Sequence, residues 1–204
     1  MFDIVKKLIM ARQITMERGE IRLLNQRMIM APAITFYYLL HALPMDDISG
    51  KWLYYACKLT NSDGYAKALY EQFGLKGDKL LQWMANSAQL AGWGEFEIID
   101  INVQEKKSIV QVRNSAIAQW FKNSKFAVDH IVRGYNAGVA AVVFGDRDVD
   151  VVETKCSARG DRFCEFVCKP TKEFDFNSEI VSAQLDKTGE IEKRLREIAW
   201  KKKQ

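Results

Sequence analysis

The chain has 204 residues, 48% hydrophobic and 27% charged, with a formal net charge of +4. That mix fits one sizeable globular core or two small ones, and only 3 prolines and 12 glycines speak against a long disordered linker. The longest apolar runs, such as Ala137 to Phe144, fall far short of the roughly 20 residues that span a bilayer.

The N-terminus has no long apolar stretch ending in a small-residue cleavage site, so the expected location is the cytoplasm. The charge is uneven: Asp186 to Gln204 holds seven Lys/Arg and four Asp/Glu. A basic tail on a near-neutral body is more simply a solvated helix than a nucleic-acid-binding face.

Residues 1–11 carry Phe2, Ile4, Val5, Leu8 and Ile9 at helical spacing and predict a short N-terminal helix. Ile14 to Met30 contains two partly alternating runs around Glu17-Arg18-Gly19, which reads as a β-hairpin. Pro32 suits the start of a helix over 33–42, rich in aromatics and closed by Pro44. Further helices are expected over 47–59, 64–73 and 78–90, separated by Asn61–Gly64 and Lys76–Asp78, and Gly92-Trp93-Gly94 ends the helical run.

The pattern then changes to period two. Residues 95–103 and 108–113 predict a second hairpin about the polar turn 104–107. A short helix is expected over 115–121 and a longer one over 125–144, in which Gly134 and Gly138 permit close packing against a neighbour at some cost in propensity. Strands follow at 148–154 and 162–169, joined by the turn Ala158–Asp161. An amphipathic basic helix is expected over 177–202, with Asn177 or Ser178 as its N-cap and Gly189 as a weak point inside it. This is an α+β pattern.

There is no internal repeat and no Gly-rich phosphate loop, and the only histidines are His41 and His130. Three of the four cysteines, Cys156, Cys164 and Cys168, lie within thirteen residues. Such clustering points to metal binding or redox chemistry.

Cys156 and Cys164 flank the Ala158–Asp161 turn and can face each other across an antiparallel hairpin. Glu153 stands three residues before Cys156, so strict alternation places it on the opposite face. A bulge near Thr154 and Lys155 has to bring it round. His130, in the preceding helix, can complete a set of four: Glu153, Cys156, Cys164 and His130.

Zinc accepts thiolate, imidazole and carboxylate, and a closed four-ligand site is structural. The competing reading is that the cysteines are small buried apolar residues and His130 a hydrogen-bonded core residue. Cys168 is an alternative ligand. Paired with Cys164 it also offers a redox reading, but four residues along a strand is about 13 Å, too far for a disulfide.

Gly134-Tyr-Asn-Ala-Gly138, Val151-Val-Glu-Thr-Lys-Cys156, Gly160 and Phe163-Cys-Glu-Phe-Val-Cys168 together resemble the 4-vinyl reductase domain family, over residues 12–172. The resemblance implies a twisted antiparallel sheet with helices packed on it, related to the TRAPP-subunit fold and commonly dimeric. It divides the chain into an N-terminal helix (1–11), that domain (12–172) and a basic amphipathic C-terminal helix (173–204).

Phenol- and xylene-responsive regulators of this family hold zinc with a Glu, two Cys and a Cys from the preceding helix. Glu153, Cys156 and Cys164 match the first three, and His130 stands at the helix position. The family also implies a small hydrophobic or aromatic ligand. Trp93, Tyr135, Phe36, Tyr38 and Trp120 are the candidate lining, with His41 a possible anchor for a hydroxyl. Aromatics at helical spacing are equally core residues.

Three functions follow: a non-catalytic zinc-containing ligand-binding or sensor domain, an enzyme or accessory acting on tetrapyrrole vinyl groups, and a dimeric interaction module. No acid–base or nucleophile set and no nucleotide or flavin motif favours the second.

Overall fold

The computed structural model describes residues 14–23, 26–42 and 47–201. The helix expected at 1–11 and Pro44 lie outside the described residues. β1 (Ile14–Glu17), β2 (Glu20–Leu23) and β3 (Gln26–Met28) form a small antiparallel sheet in that order. Arg18 and Gly19 turn β1 into β2 with φ of 51° and 77°, the left-handed conformation that a two-residue hairpin turn uses. The expected hairpin thus gains a third strand.

Helices follow: α1 (Ala33–Ala42), α2 (Asp47–Thr60), α3 (Ala66–Phe73) and α4 (Gly77–Leu90). A π-type turn at Asn61–Tyr65, kinked at Gly64, joins α2 to α3. The second sheet contains β4 (Glu95–Asn102), β5 (Lys107–Arg113), β6 (Val149–Lys155) and β7 (Cys164–Pro170), in the order β4-β5-β7-β6 with antiparallel neighbours throughout. The connection from β5 to the sheet's far edge contains α5 (His130–Phe144).

α5 is the centre of the molecule. Of its residues only Tyr135, Asn136 and Val142 are partly exposed. It packs against α2, and Gly134 and Gly138 explain how closely. A Cβ on Gly134 would collide with the carbonyl of Tyr54, and one on Gly138 with that of Lys58. The two glycines are one turn apart, as are the two carbonyls, so a smooth stripe on one helix receives the backbone of the other.

Three expected elements differ. The segment 115–121 forms only one 3₁₀ turn, Ala118–Trp120. Its N–H groups at Ile117 and Ala118 bond to the Ser115 hydroxyl instead of extending a helix. α5 starts at His130 rather than near Lys125, because Ala127, Val128 and Asp129 are buried in the core in a non-helical path.

The long C-terminal helix is divided into α6 (Glu179–Ser182) and α7 (Glu190–Lys201). Gly189 sits between them with φ of 71°. Asp186 and Thr188 side chains accept the first N–H groups of α7, from Ile191 and Glu190. Among the described residues, no helix is long and apolar enough to cross a membrane.

Candidate metal centre and cavity

The β6–β7 register shifts between Glu153, opposite Phe166, and Lys155, opposite Glu165. The bulge resets the alternation. Glu153 then shares a face with Phe166 and Cys164, and the residue after Lys155, Cys156, falls beside Cys164. The turn that follows is tight: Cys156 O accepts the N–H groups of Arg159 and Asp161, and Asp161 Oδ2 accepts the Cys156 N–H at 2.8 Å. The ligand atoms of Glu153, Cys156 and Cys164 all lie within 4.8 Å of one another. All three residues are completely buried.

His130 and Cys168 are not in that group. The His130 ring stands over Gly50, where a Cβ would collide with Nε2, and its Nδ1 is 3.5 Å from an Arg133 guanidinium nitrogen. Burial, with the nearby Arg133 charge, holds the imidazole down to about 3. Cys168 pairs with Ser108 and Val151, further along the sheet.

The residue before His130 lies nearer the group. Asp129 is fully buried. Its N–H donates to Glu153 Oε2 at 3.2 Å, and its Oδ1 accepts the Ser115 hydroxyl at 2.9 Å. Its carboxylate also reaches the Cys164 thiol. Nothing in the sequence singles out Asp129, because the expected helix over 125–144 places it in the helix interior.

Electrostatics at the group oppose negative charge on Glu153, Asp129 and Cys164 and favour it on Cys156. Burial, then the Asp129 charge, pushes Glu153 well above the usual carboxylate range. Burial raises Asp129 to about 6. The hydrogen bond between the sulfurs lowers Cys156 to about 7 and raises Cys164. Buried acids that resist ionisation in this way are the donors that a divalent cation neutralises. Glu153 Oε1 has no hydrogen-bond partner. Two thiols and an unsatisfied buried carboxylate fit a thiophilic ion such as zinc.

Arg133 links this group to its surroundings. Its guanidinium lies 3.9 Å from the Tyr54 ring centre and donates to Val151 O and Gln184 O. Beyond it, Tyr54 donates to Asp150 Oδ1 at 2.8 Å, and buried Lys58 pairs with the same oxygen at 2.9 Å and with Glu192 at 3.2 Å.

On another side of α5 lies a cavity of about 220 Å³. Val132, Tyr135, Asn136 and Val139 of α5 form one wall, Leu81, Met84, Ala85 and Ala88 of α4 another, and Phe96 and Val110 the sheet side. Leu23, Gln26 and Met28 close it from the small sheet. No charged side chain lines it among the described residues. Trp93 and Tyr135 both line it, their rings edge to face at 5.8 Å.

The other candidate aromatics stand outside that lining. Phe36 packs on Trp93 at 5.7 Å. Tyr38 is 65% exposed, and Trp120 is 44% exposed beside Tyr37. His41 is stacked between Tyr37 and Phe121.

Residues 108–170 match the 4-vinyl reductase domain. The match runs from β5 through α5 to the end of β7 and so contains Asp129, Glu153, Cys156 and Cys164. The resemblance read from the sequence agrees with it. No curated protein matches the sequence.

Three solved structures are similar to this chain. The phenol-responsive sensory domain of the transcription activator PoxR, with phenol, superposes with a TM-score of 0.68 at 20% identity, covering 90% of this chain and 96% of that one. A vinyl-4-reductase family protein from Methanocaldococcus jannaschii gives 0.42 at 19% identity, over 72% and 85%. A trafficking protein particle complex subunit 3 from Naegleria fowleri, covalently bound to palmitic acid, gives 0.50 at 12% identity, over 68% and 92%. At these identities the first and third likenesses are of fold alone.

Proposed function

We propose that this chain is a non-catalytic sensor module that binds a small, uncharged, mostly apolar molecule between α4, α5 and the β4–β5 hairpin, on a scaffold held by zinc. The cavity carries this reading. An apolar cavity of about 150 Å³ accepts benzene, so about 220 Å³ suits one aromatic ring with a substituent. A lining without charged groups disfavours ions. It offers neutral polar atoms (Asn61, Tyr65, Ser87, Tyr135 and Asn136) for a single hydroxyl or carbonyl. The PoxR sensory domain, which shares the fold and holds phenol, supports the same class of ligand.

Glu153, Cys156 and Cys164 are the residues that would hold zinc. Bound there, the ion would supply charge neutralisation and a cross-link between the bulge of β6 and the start of β7. Among the described residues, nothing in the cavity lining supplies a general acid or base of ordinary strength, which supports binding rather than turnover. We also infer a homodimer, on the family resemblance.

Titration with phenol and alkylbenzenes, read by tryptophan fluorescence and by native mass spectrometry, tests the ligand. Saturable binding that is lost in Ala88→Phe, with folding retained, is expected. Absence of binding and of any thermal shift across the panel would overturn the sensor reading. Elemental analysis of protein purified without added zinc tests the metal: about one zinc per chain is expected, and a negligible content overturns it.

A further inference from the structure

We infer that Asp129, and not the neighbouring His130, is the fourth protein ligand of the ion held by Glu153, Cys156 and Cys164. The inference rests on the zinc reading above and assigns to it a residue of this chain.

Among the described residues, two buried carboxylate oxygens lack a hydrogen-bond partner: Glu153 Oε1 and Asp129 Oδ2. Both belong to one cluster. The Asp129 backbone N–H binds the other oxygen of Glu153, and the Asp129 carboxylate stands against Cys164. The donors nearest these carboxylates are weak ones, the thiols themselves, Cys156 beside Glu153 and Cys164 beside Asp129; once those thiols ionise, a single cation among the two thiolates would satisfy both oxygens.

The local backbone supports the same conclusion. Asp129 occupies the N-cap position of α5, yet its side chain makes no cap hydrogen bond. Aspartate at that position ordinarily accepts an N–H from the first turn. Here Ser115 holds one carboxylate oxygen, and the other is left facing the cluster.

His130 is occupied elsewhere. It is the first residue of the helix, and its ring is fixed between Gly50 and Arg133. Its nitrogens do not fall within the 4.8 Å group. Asp129 falls outside that limit too, but its backbone N–H binds Glu153 and its carboxylate reaches Cys164, contacts with the group that His130 does not make, and this is the carboxylate that we place on the ion. The resulting S₂O₂ donor set carries four negative charges against two positive. Several N–H donors stand around it to offset the excess: Ser157 to Cys164 at 3.4 Å, Val128 to Cys156, and Asp129 to Glu153.

Cobalt substitution of the purified chain tests the assignment without any ligand or activity. Each thiolate contributes a near-ultraviolet charge-transfer band, so Asp129→Cys raises its intensity by about half as two sulfurs become three, whereas His130→Cys leaves it unchanged. In chelator competition Asp129→Ala loses zinc affinity by at least about tenfold, the scale on which even outer groups act, and His130→Ala does not. The zinc X-ray absorption spectrum of the wild type lacks imidazole scattering.

Imidazole scattering, or a third thiolate band in His130→Cys alone, overturns the inference and leaves the zinc reading standing. Equal behaviour of the wild type and all Asp129 variants, with metal bound, also overturns it. A chain that binds neither metal overturns both.

Discussion

Gln184 holds the backbone of Glu153 at both ends: its Nε2 donates to Glu153 O at 2.9 Å and its Oε1 accepts from Glu153 N–H at 2.8 Å. The C-terminal segment thereby supplies, through one amide side chain, the hydrogen bonds that another strand would give the outer edge of β6. Gln184→Leu leaves both groups buried and unpaired, a cost of about 1–3 kcal/mol. The same change frees the strand that presents Glu153 and should weaken zinc roughly 10–100-fold, as loss of supporting groups does. Denaturant unfolding and chelator competition measure the two effects. If neither moves, the C-terminal segment does not support the site.

Lys58 and Asp150 form a buried ion pair at 2.9 Å that also engages Tyr54, Thr171 and Glu192. Asp150→Ala leaves the buried Lys58 ammonium with Glu192 as its one remaining acid and is expected to cost about 3 kcal/mol, the low end for breaking a buried pair. The double variant Lys58→Met, Asp150→Leu should recover much of that loss, since an apolar pair leaves no uncompensated charge. Urea midpoints of the single and double variants decide this. A single variant as stable as the wild type would mean that Glu192 alone satisfies Lys58.

Gly134→Ala and Gly138→Ala place a methyl group against the carbonyls of Tyr54 and Lys58. Backbone has no rotamer with which to yield, so α2 and α5 must separate, at about 1–3 kcal/mol for each change. This is opposite in sign to the usual gain from Gly→Ala in a helix. Thermal unfolding shows which effect wins.

Much of this was legible in the sequence, and the failures have physical causes. Helices α1 to α4, the hairpins and the Glu153–Cys156–Cys164 spacing follow from periodicity, turn residues and donor chemistry. The need for a bulge beside Thr154 followed from counting alternation, and the register shift is there. Asp129 gave no signal, because helical spacing from Lys125 to Phe144 places it inside the expected helix rather than at its start. The start of α5 at His130 was hidden for the same reason: helical spacing continues back to Lys125, but burial of Val128 and Asp129 overrides it. Gln184 had no sequence signal at all, since its role depends on contact with a strand thirty-one residues away.

Glu192 carries a pH dependence of known sign. Burial works to raise its carboxyl, but Lys58 and Arg196 outweigh that and hold it below its ordinary value. A depressed folded-state value gives stability that is present above the ordinary carboxylate range and lost as pH falls through the lowered one. The tie between α7 and Lys58 should therefore weaken on acidification below about pH 4. Melting temperatures across the acid range are expected to fall less steeply in Glu192→Gln than in the wild type. Parallel curves would remove Glu192 from the account.

Because α5 carries the cavity wall on one side and Asp129, Arg133 and the glycine stripe on the others, no side of it is free to move alone. A rigid element shared by two binding events is a thermodynamic ledger with two columns. If an occupant of the cavity and an ion at the cluster favour different placements of α5, each changes the affinity for the other by the same factor. What the two affinities would then share is that one coupling factor, read from either end.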